Sequence, residues 1–158
     1  MKIETSPEVS KRMSNQKREE TRPESEIARA CFSLGLRYRK NVLIPEVKTN
    51  ADLVFRRHKL IVFVDGCFWH GCPWHFKVPK TNSVWWREKT ERNRRRDLKK
   101  TRQLRRMGWT VMRIWEHVPP DVAANRIKEK IKCLSPSDGR GNQFKLKFDD
   151  NKTITIIN

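Results

Sequence analysis

Across residues 1–20 the apolar positions fall at no steady interval, and Met13 stands as a lone large apolar group among basic and polar neighbours. This stretch reads as a flexible arm. Periodicity begins at Thr21-Arg22-Pro23-Glu24, where a threonine placed to cap, a proline at an early helical position and a carboxylate near the positive dipole end together start a helix. Ile27, Cys31 and Leu34 make its inward face, and Gly35 closes it as a left-handed cap. Leu36 and Tyr38 then alternate with Arg37 and Arg39, which predicts a first strand. Two further strands, Asp52 to Phe55 and Leu60 to Val64, are joined by the polar turn Arg56-Arg57-His58-Lys59. The second of these is apolar at every position, as suits a central strand covered by helices on both faces.

From Ser83 to Met107 the chain turns strongly basic, and Trp86, Leu98, Leu104 and Met107 are too sparse for a deeply buried helix. That segment is expected to be solvated or to face DNA. Gly108 breaks it, Trp109 to Trp115 alternates as another strand, and Asp121 caps a helix with Ile127, Ile131 and Leu134 inward. Beyond Ser135 the composition shifts to Ser, Pro, Gly and Asp. Phe144 to Phe148 alternates, and Asp149 to Lys152 would turn it back onto Ile154 and Ile156 as a terminal hairpin. The expectation is a mixed α/β sheet in one domain, residues 21–134, between a 1–20 arm and a polar 135–158 extension. A chain of 158 residues buries one modest core.

Charge narrows the function classes. Thirty-six Lys and Arg against eighteen Asp and Glu leave +18, a surplus that repels itself unless a polyanion answers it, so nucleic acid is the expected partner. The N-terminal region has no apolar run of the kind a signal peptide or membrane helix needs, and cytosolic residence is expected. Cys31, Cys67, Cys72 and Cys133 would then be thiols that pack in cores or bind metal, with Cys31 and Cys133 read as core residues.

Asp65-Gly66-Cys67-Phe68-Trp69-His70-Gly71-Cys72-Pro73-Trp74-His75 crowds two Cys, two His and three large aromatics into one loop. Its Cys-x4-Cys-x2-His spacing lets three donors converge on one tetrahedral zinc, with His117, at the end of the Trp109 strand, as the remote fourth. The plainer alternative is a free thiol pair beside a solvated histidine. His70 is open to reading as a ligand, a base or a packed ring. Asp52 opens an apolar strand, where a carboxylate needs a cation or hydrogen bonds to offset its desolvation. Glu24 by itself is dipole or cap chemistry; paired with Asp52 it becomes a candidate for holding magnesium against a scissile phosphate. Between Arg87 and Arg106, eleven of twenty residues are Lys or Arg, directly after Trp85 and Trp86. A solvated helix face would explain this, but phosphate contact with base stacking explains it better. Asp97, a carboxylate among so many cations, is a candidate for orienting a histidine or an arginine.

In order and spacing, Asp52-Leu53-Val54-Phe55, Val62 to His70, Phe76-Lys77-Val78-Pro79, Gly108-Trp109 and Trp115-Glu116 resemble the very-short-patch-repair (Vsr) endonucleases, over about Met13 to His117. The resemblance implies a restriction-endonuclease-like α/β fold, a mixed β-sheet flanked by helices, with a structural zinc site and catalytic Mg2+. It matches Asp52 to the magnesium-binding aspartate, the carbonyl of Val64 to the second strand's metal contact, His70 to the catalytic histidine and Glu24 to the glutamate that organises metal-bound water. It places Cys67, Cys72, His75 and His117 at the zinc ligands. Phe68, Trp69 and Trp86 match aromatics that wedge between base pairs, and Met13 an apolar residue entering from the other groove. Asp65 stands at a position that varies between relatives and is a secondary candidate, as is Asp97. Asn50-Ala51 lacks the proline that often precedes the aspartate, and the two-histidine zinc set differs from sulfur-richer relatives.

The implied activity is a Mg-dependent nick in double-stranded DNA, 5′ to the thymine of a T:G mismatch, by a monomer that works beside mismatch-repair proteins. A noncatalytic zinc-stabilised mismatch-sensing protein and a basic RNA- or ribosome-associated protein are the rivals.

Overall fold

The computed structural model describes residues 21–134 and, beyond them, the backbone of two short strands, 145–148 and 154–157. Helix α1 (Arg22–Ser33) starts at Thr21, with Pro23 in its first turn. Both Glu24 carboxylate oxygens reach back, one to the Thr21 N–H at 3.1 Å and one to its hydroxyl at 2.8 Å. The helix ends on Gly35 at φ +79°. There the Gly35 and Leu36 N–H groups return to the carbonyls of Phe32 and Cys31. Glycine takes this left-handed position without a Cβ penalty, and the cap satisfies carbonyls that would otherwise end unpaired. Because the cap consumes Leu36, the first strand, β1, begins later than the Leu36–Tyr38 alternation predicts and runs Arg39–Ile44.

A tight turn with Lys48 at φ +51° leads into β2 (Thr49–Phe55), which starts three residues before the expected Asp52. Pairing with β1 carries the polar Thr49 and Asn50 into the sheet. The expected polar turn is one turn of 3-10 helix, Arg56–His58, closed by Lys59 at φ +45°. It delivers the chain to β3 (Leu60–Asp65). Long helix α2 (Ser83–Arg106) crosses over to β4 (Thr110–Trp115), and α3 (Pro120–Leu134) follows. The sheet order is β1-β2-β3-β4, antiparallel except for the parallel β3–β4 pair. Strands β5 (Lys145–Phe148) and β6 (Ile154–Ile157) pair separately, antiparallel. The expected 1–20 arm, with Met13, lies outside the described residues.

Strand β3 is central, and its alternation builds two cores. Leu60 and Val62 face Ile27, Cys31, Ile127 and Ile131 of α1 and α3. Ile61 and Phe63 face Leu104 of α2, with Val54, Trp109 and Val111. Full burial of such side chains stabilises the fold by about 1.5–3 kcal/mol each. A run apolar on both faces is what this double covering requires.

Three sequence expectations are corrected. Cys133 is exposed on the outer side of α3, whereas Cys31 is fully buried. Asp121 lies inside the first turn of α3, because Pro120 takes the first helical position and the Ala123 N–H already bonds Pro119. Helix α2 is not merely solvated: Trp86, Thr90, Asn93, Thr101 and Leu104 form a buried seam, while Leu98 is half exposed. Thr and Asn seldom register as core in a hydrophobicity pattern, which is why the seam escapes it.

Candidate functional site at the end of strand β3

Residues 66–75 leave the end of β3 as a loop pinned from two sides. The Cys67 N–H donates to Glu116 Oε1 at 2.6 Å, and Glu116 in turn continues the β3–β4 pairing by donating its N–H to the Asp65 carbonyl at 2.9 Å. From α2, Asn93 donates to the Trp69 carbonyl at 2.9 Å and Arg94 to the carbonyls of His70 and Gly71. Gly71 makes this approach practicable. It sits at φ +65°, and a Cβ there would come within 2.5 Å of the Thr90 side chain.

In this setting the Cys67, Cys72, His75 and His117 donor atoms all lie within 4.8 Å of one another, and among the described residues they are the one such group. Four sulfur–nitrogen separations are 3.0, 3.5, 3.7 and 3.9 Å. A tetrahedral ion about 2.3 Å from sulfur and about 2.0 Å from nitrogen sets such edges at about 3.6 Å. The donor set therefore fits a metal, and His117, fifty residues from Cys67, is brought to it by the parallel β3–β4 pairing. Burial and the neighbouring Cys72 push the Cys67 thiol above its ordinary range, and a cation bound there would take the place of its proton.

Three residues beyond Cys67, His70 donates from Nδ1 to Asp97 Oδ2 at 2.6 Å. Asp97 pays for partial burial, yet the His70 hydrogen bond and the Arg113, His70 and Arg96 charges hold it below the usual carboxylate range. An ionised carboxylate only accepts hydrogen bonds, so Nδ1 carries the proton, and in the neutral ring Nε2 keeps its lone pair. Asp65, buried at the end of β3, takes a two-pronged bond from Arg113 of β4. His70, Asp97 and Arg113 line one groove of about 460 Å3 between α2 and β4.

Asp52 sits where the β2–β3 ladder opens. Paired positions run Leu53↔Val62, Val54↔Ile61 and Phe55↔Leu60, and stop there. In the gap, the Val64 N–H donates to Asp52 Oδ2 at 2.6 Å. The N–H and C=O of one strand residue point to the same edge, and successive residues to opposite edges. The Asp65 carbonyl is bonded on the β4 side, so that of Val64 opens on the Asp52 side. Burial pushes the Asp52 carboxyl up to about 7, opposed by the Val64 N–H and reinforced by Glu24 and Asp65, while Arg113 pulls the other way. Glu24 is buried with both oxygens turned to Thr21. Glu24 and Asp52 thus lie within electrostatic reach, each on its own hydrogen-bond partners.

Phe68 and Trp69 are half-buried and meet edge to face at 5.3 Å. Trp86, expected beside them as a wedge, is buried instead, with ring centroids 4.9 Å from Phe68, 6.1 Å from Trp69 and 4.7 Å from Trp85. It lies on the inward seam of α2, against the rings of Phe68 and Trp69. Sequence reasoning missed Arg113, Asn93, Arg94 and Glu116; only the motif Trp115-Glu116 hinted at the last. No helix among the described residues is long and apolar enough to cross a membrane.

Residues 1–76 match the family model for the DNA mismatch endonuclease Vsr. The type II nicking enzyme V.NaeI of Lentzea aerocolonigenes is 44% identical over 111 residues, 68% of this chain and 67% of the relative. The type II nicking enzyme V.NmeDIP of Neisseria meningitidis serogroup C is 42% identical over 122 residues, 75% and 79% of the two chains. The DNA mismatch endonuclease Vsr of Escherichia coli is 33% identical over 98 residues, 61% and 62% of the two. With a metal-type Cys/His cluster, an imidazole held by a carboxylate and an aspartate at an open strand edge already in one region, these matches settle the lineage: the chain belongs to the Vsr family of DNA mismatch endonucleases, hydrolases that cut phosphodiester bonds.

Proposed function

We propose that this chain nicks one strand of double-stranded DNA 5′ to the thymine of a T:G mismatch, with Mg2+ held at Asp52 and the Val64 carbonyl and Zn2+ at Cys67, Cys72, His75 and His117. The observation that carries this is the open gap at Asp52, where a carboxylate and a main-chain carbonyl face one edge, and Asp65 and Arg113, which act electrostatically on Asp52, also flank the His70–Asp97 pair. These are hard oxygen donors, the kind that suit magnesium, while the thiolates and imidazoles suit zinc. When bound, magnesium supplies charge stabilisation to the attacking and leaving oxygens of the phosphodiester. Asp52 holds its Oδ2 on the Val64 N–H, which aims the carboxylate into the gap. His70 takes a proton from water at Nε2, and Asp97 keeps the ring in the tautomer that can do so. Glu24 orders solvent at the rim once one of its oxygens turns from Thr21.

Phe68 and Trp69, backed by Trp86, enter the base stack, and a mismatched pair lowers the cost of unstacking, a few kcal/mol per step. Exposed Arg and Lys of α2 contact phosphates, and the 1–20 arm brings Met13 to the opposite groove. The four-stranded sheet between helices supports the restriction-endonuclease-like arrangement for residues 21–134, with 135–158 as an extension. The protein acts as a monomer in the cytosol, alongside mismatch-repair proteins. The test is nicking of T:G and matched duplexes with and without Mg2+. Cutting confined to T:G and abolished in His70→Ala is expected; equal cutting of both duplexes would refute the mismatch reading.

A further inference from the structure

Two carboxylates compete for one imidazole proton. Asp97 Oδ2 lies 2.6 Å from His70 Nδ1, and Asp65 Oδ1 lies 3.9 Å from the same atom. Both acids are largely buried, so each would seek the ring, and two positions would be open to it. What separates them is Arg113. Its Nε and Nη2 occupy both oxygens of Asp65, and the same Nη2 stands 3.5 Å from Asp97 Oδ2. The guanidinium lies over the Phe63 ring at 5.1 Å, which fixes its plane. We propose that Arg113 is a positioning residue for strand cleavage: by engaging Asp65 at both oxygens and steadying Asp97, it leaves Asp97 alone to orient His70.

A buried ion pair kept only for stability is a weak explanation, because desolvation costs both partners and an apolar pair between Phe63 and Val111 would pack at less expense. The fork matters more than the charge. Arginine presents several donors in a fixed plane and can hold two carboxylates at once; lysine presents a point charge on a flexible stem. Arg113 also joins three separate parts of the molecule, the end of β3, strand β4 and helix α2, the last of which holds His70 through Asp97.

This proposal rests on His70 being the base. The test uses the full chain with zinc bound, and compares Arg113→Met, Arg113→Lys and His70→Ala in single-turnover nicking of a T:G duplex. Duplex affinity, melting temperature, zinc content and the downfield Nδ1–H proton resonance of His70 are measured alongside. The expected result is cleavage slowed on the order of 30-fold or more in Arg113→Met, and about tenfold in Arg113→Lys, as misplacing a reacting group by an ångström slows catalysis. Affinity stays within about threefold and the resonance is lost. Cleavage within threefold of the parent in either Arg113 variant overturns the proposal. So does a slowed variant whose resonance is intact, or a loss of rate that merely tracks loss of fold and zinc. Full activity in His70→Ala defeats the underlying reading of His70 instead, and a dead His70→Ala beside active Arg113 variants defeats the Arg113 proposal alone.

Discussion

The donors of Cys67, Cys72, His75 and His117 are gathered within 4.8 Å, whereas the carboxylates of Glu24 and Asp52, near the same end of β3, each turn to a hydrogen-bond partner in the chain. The first set is assembled by folding alone, from a loop spacing and a parallel strand pairing. The second is left unfinished: it has one aimed carboxylate, one main-chain carbonyl and a glutamate occupied by its own helix cap. Magnesium is commonly held by one or two carboxylates together with phosphate oxygens of the substrate, so a half-built protein site is what a DNA-dependent cation requires. Under the proposed function the two environments would divide the labour, one ion serving the protein's shape and another arriving with the duplex.

The strongest blow to this comparison comes from Cys72→Ala. A structural zinc contributes about 10–16 kcal/mol of binding free energy, comparable with the whole stability of a domain. Loss of bound zinc, a melting temperature lowered by about 10 °C or more and loss of nicking are expected together, read by metal analysis, circular dichroism and a nicking assay. A variant that keeps its melting temperature would show that the cluster does not organise the loop. Next in size, Asp52→Ala is expected to slow nicking at least about a hundredfold while zinc content and duplex affinity hold, because the lost group acts on the transition state. Retained zinc with lost cutting is what separates the two environments.

Gly71→Ala is smaller. The substitution puts a side chain at φ +65° and against Thr90 and Arg94, and a destabilisation of about 1–3 kcal/mol is expected in denaturant titrations. The smallest effect concerns pH in magnesium-free buffer. The unfolded chain releases the Asp52 proton near 3.8, as an ordinary aspartate does, while the folded chain holds it up to about 7. Between those values the folded state binds more protons, so this group's contribution to stability is full at acid pH and is lost as pH rises through about 7. Asp52→Asn is expected to be more stable than the parent by about 2 kcal/mol at pH 8, allowing for partial exposure, and equal to it near pH 4. Magnesium that binds the free protein tightly enough to erase this difference would mean the second site is complete without DNA.

Much of the fold was readable because β3 is apolar on both faces and α1 carries its signals at both ends, Thr21-Arg22-Pro23-Glu24 at the start and Gly35 at the stop. The Cys/His set was readable from its spacing, with His117 located by the strand that ends beside it. Arg113 was not, since a lone cation in an alternating strand looks solvent-facing until its partner on the neighbouring strand is known. The burial of Trp86 was hidden for the converse reason. An aromatic beside basic residues suggests a surface contact, and only the helical phase against Thr90 and Asn93 turns it inward.

One consequence follows from how the loop of residues 66–75 is fastened. Cys67, Trp69, His70 and Gly71 are each tied through their main chain to Glu116, Asn93 or Arg94, so Phe68 and Trp69 ride on a stiff mount. When a stiff body presses on a compliant one, the compliant one yields. Where those rings enter a base stack as proposed, the duplex rather than the enzyme would take up the strain of contact, and discrimination between base pairs would become a measurement of how easily each local stretch of helix gives way.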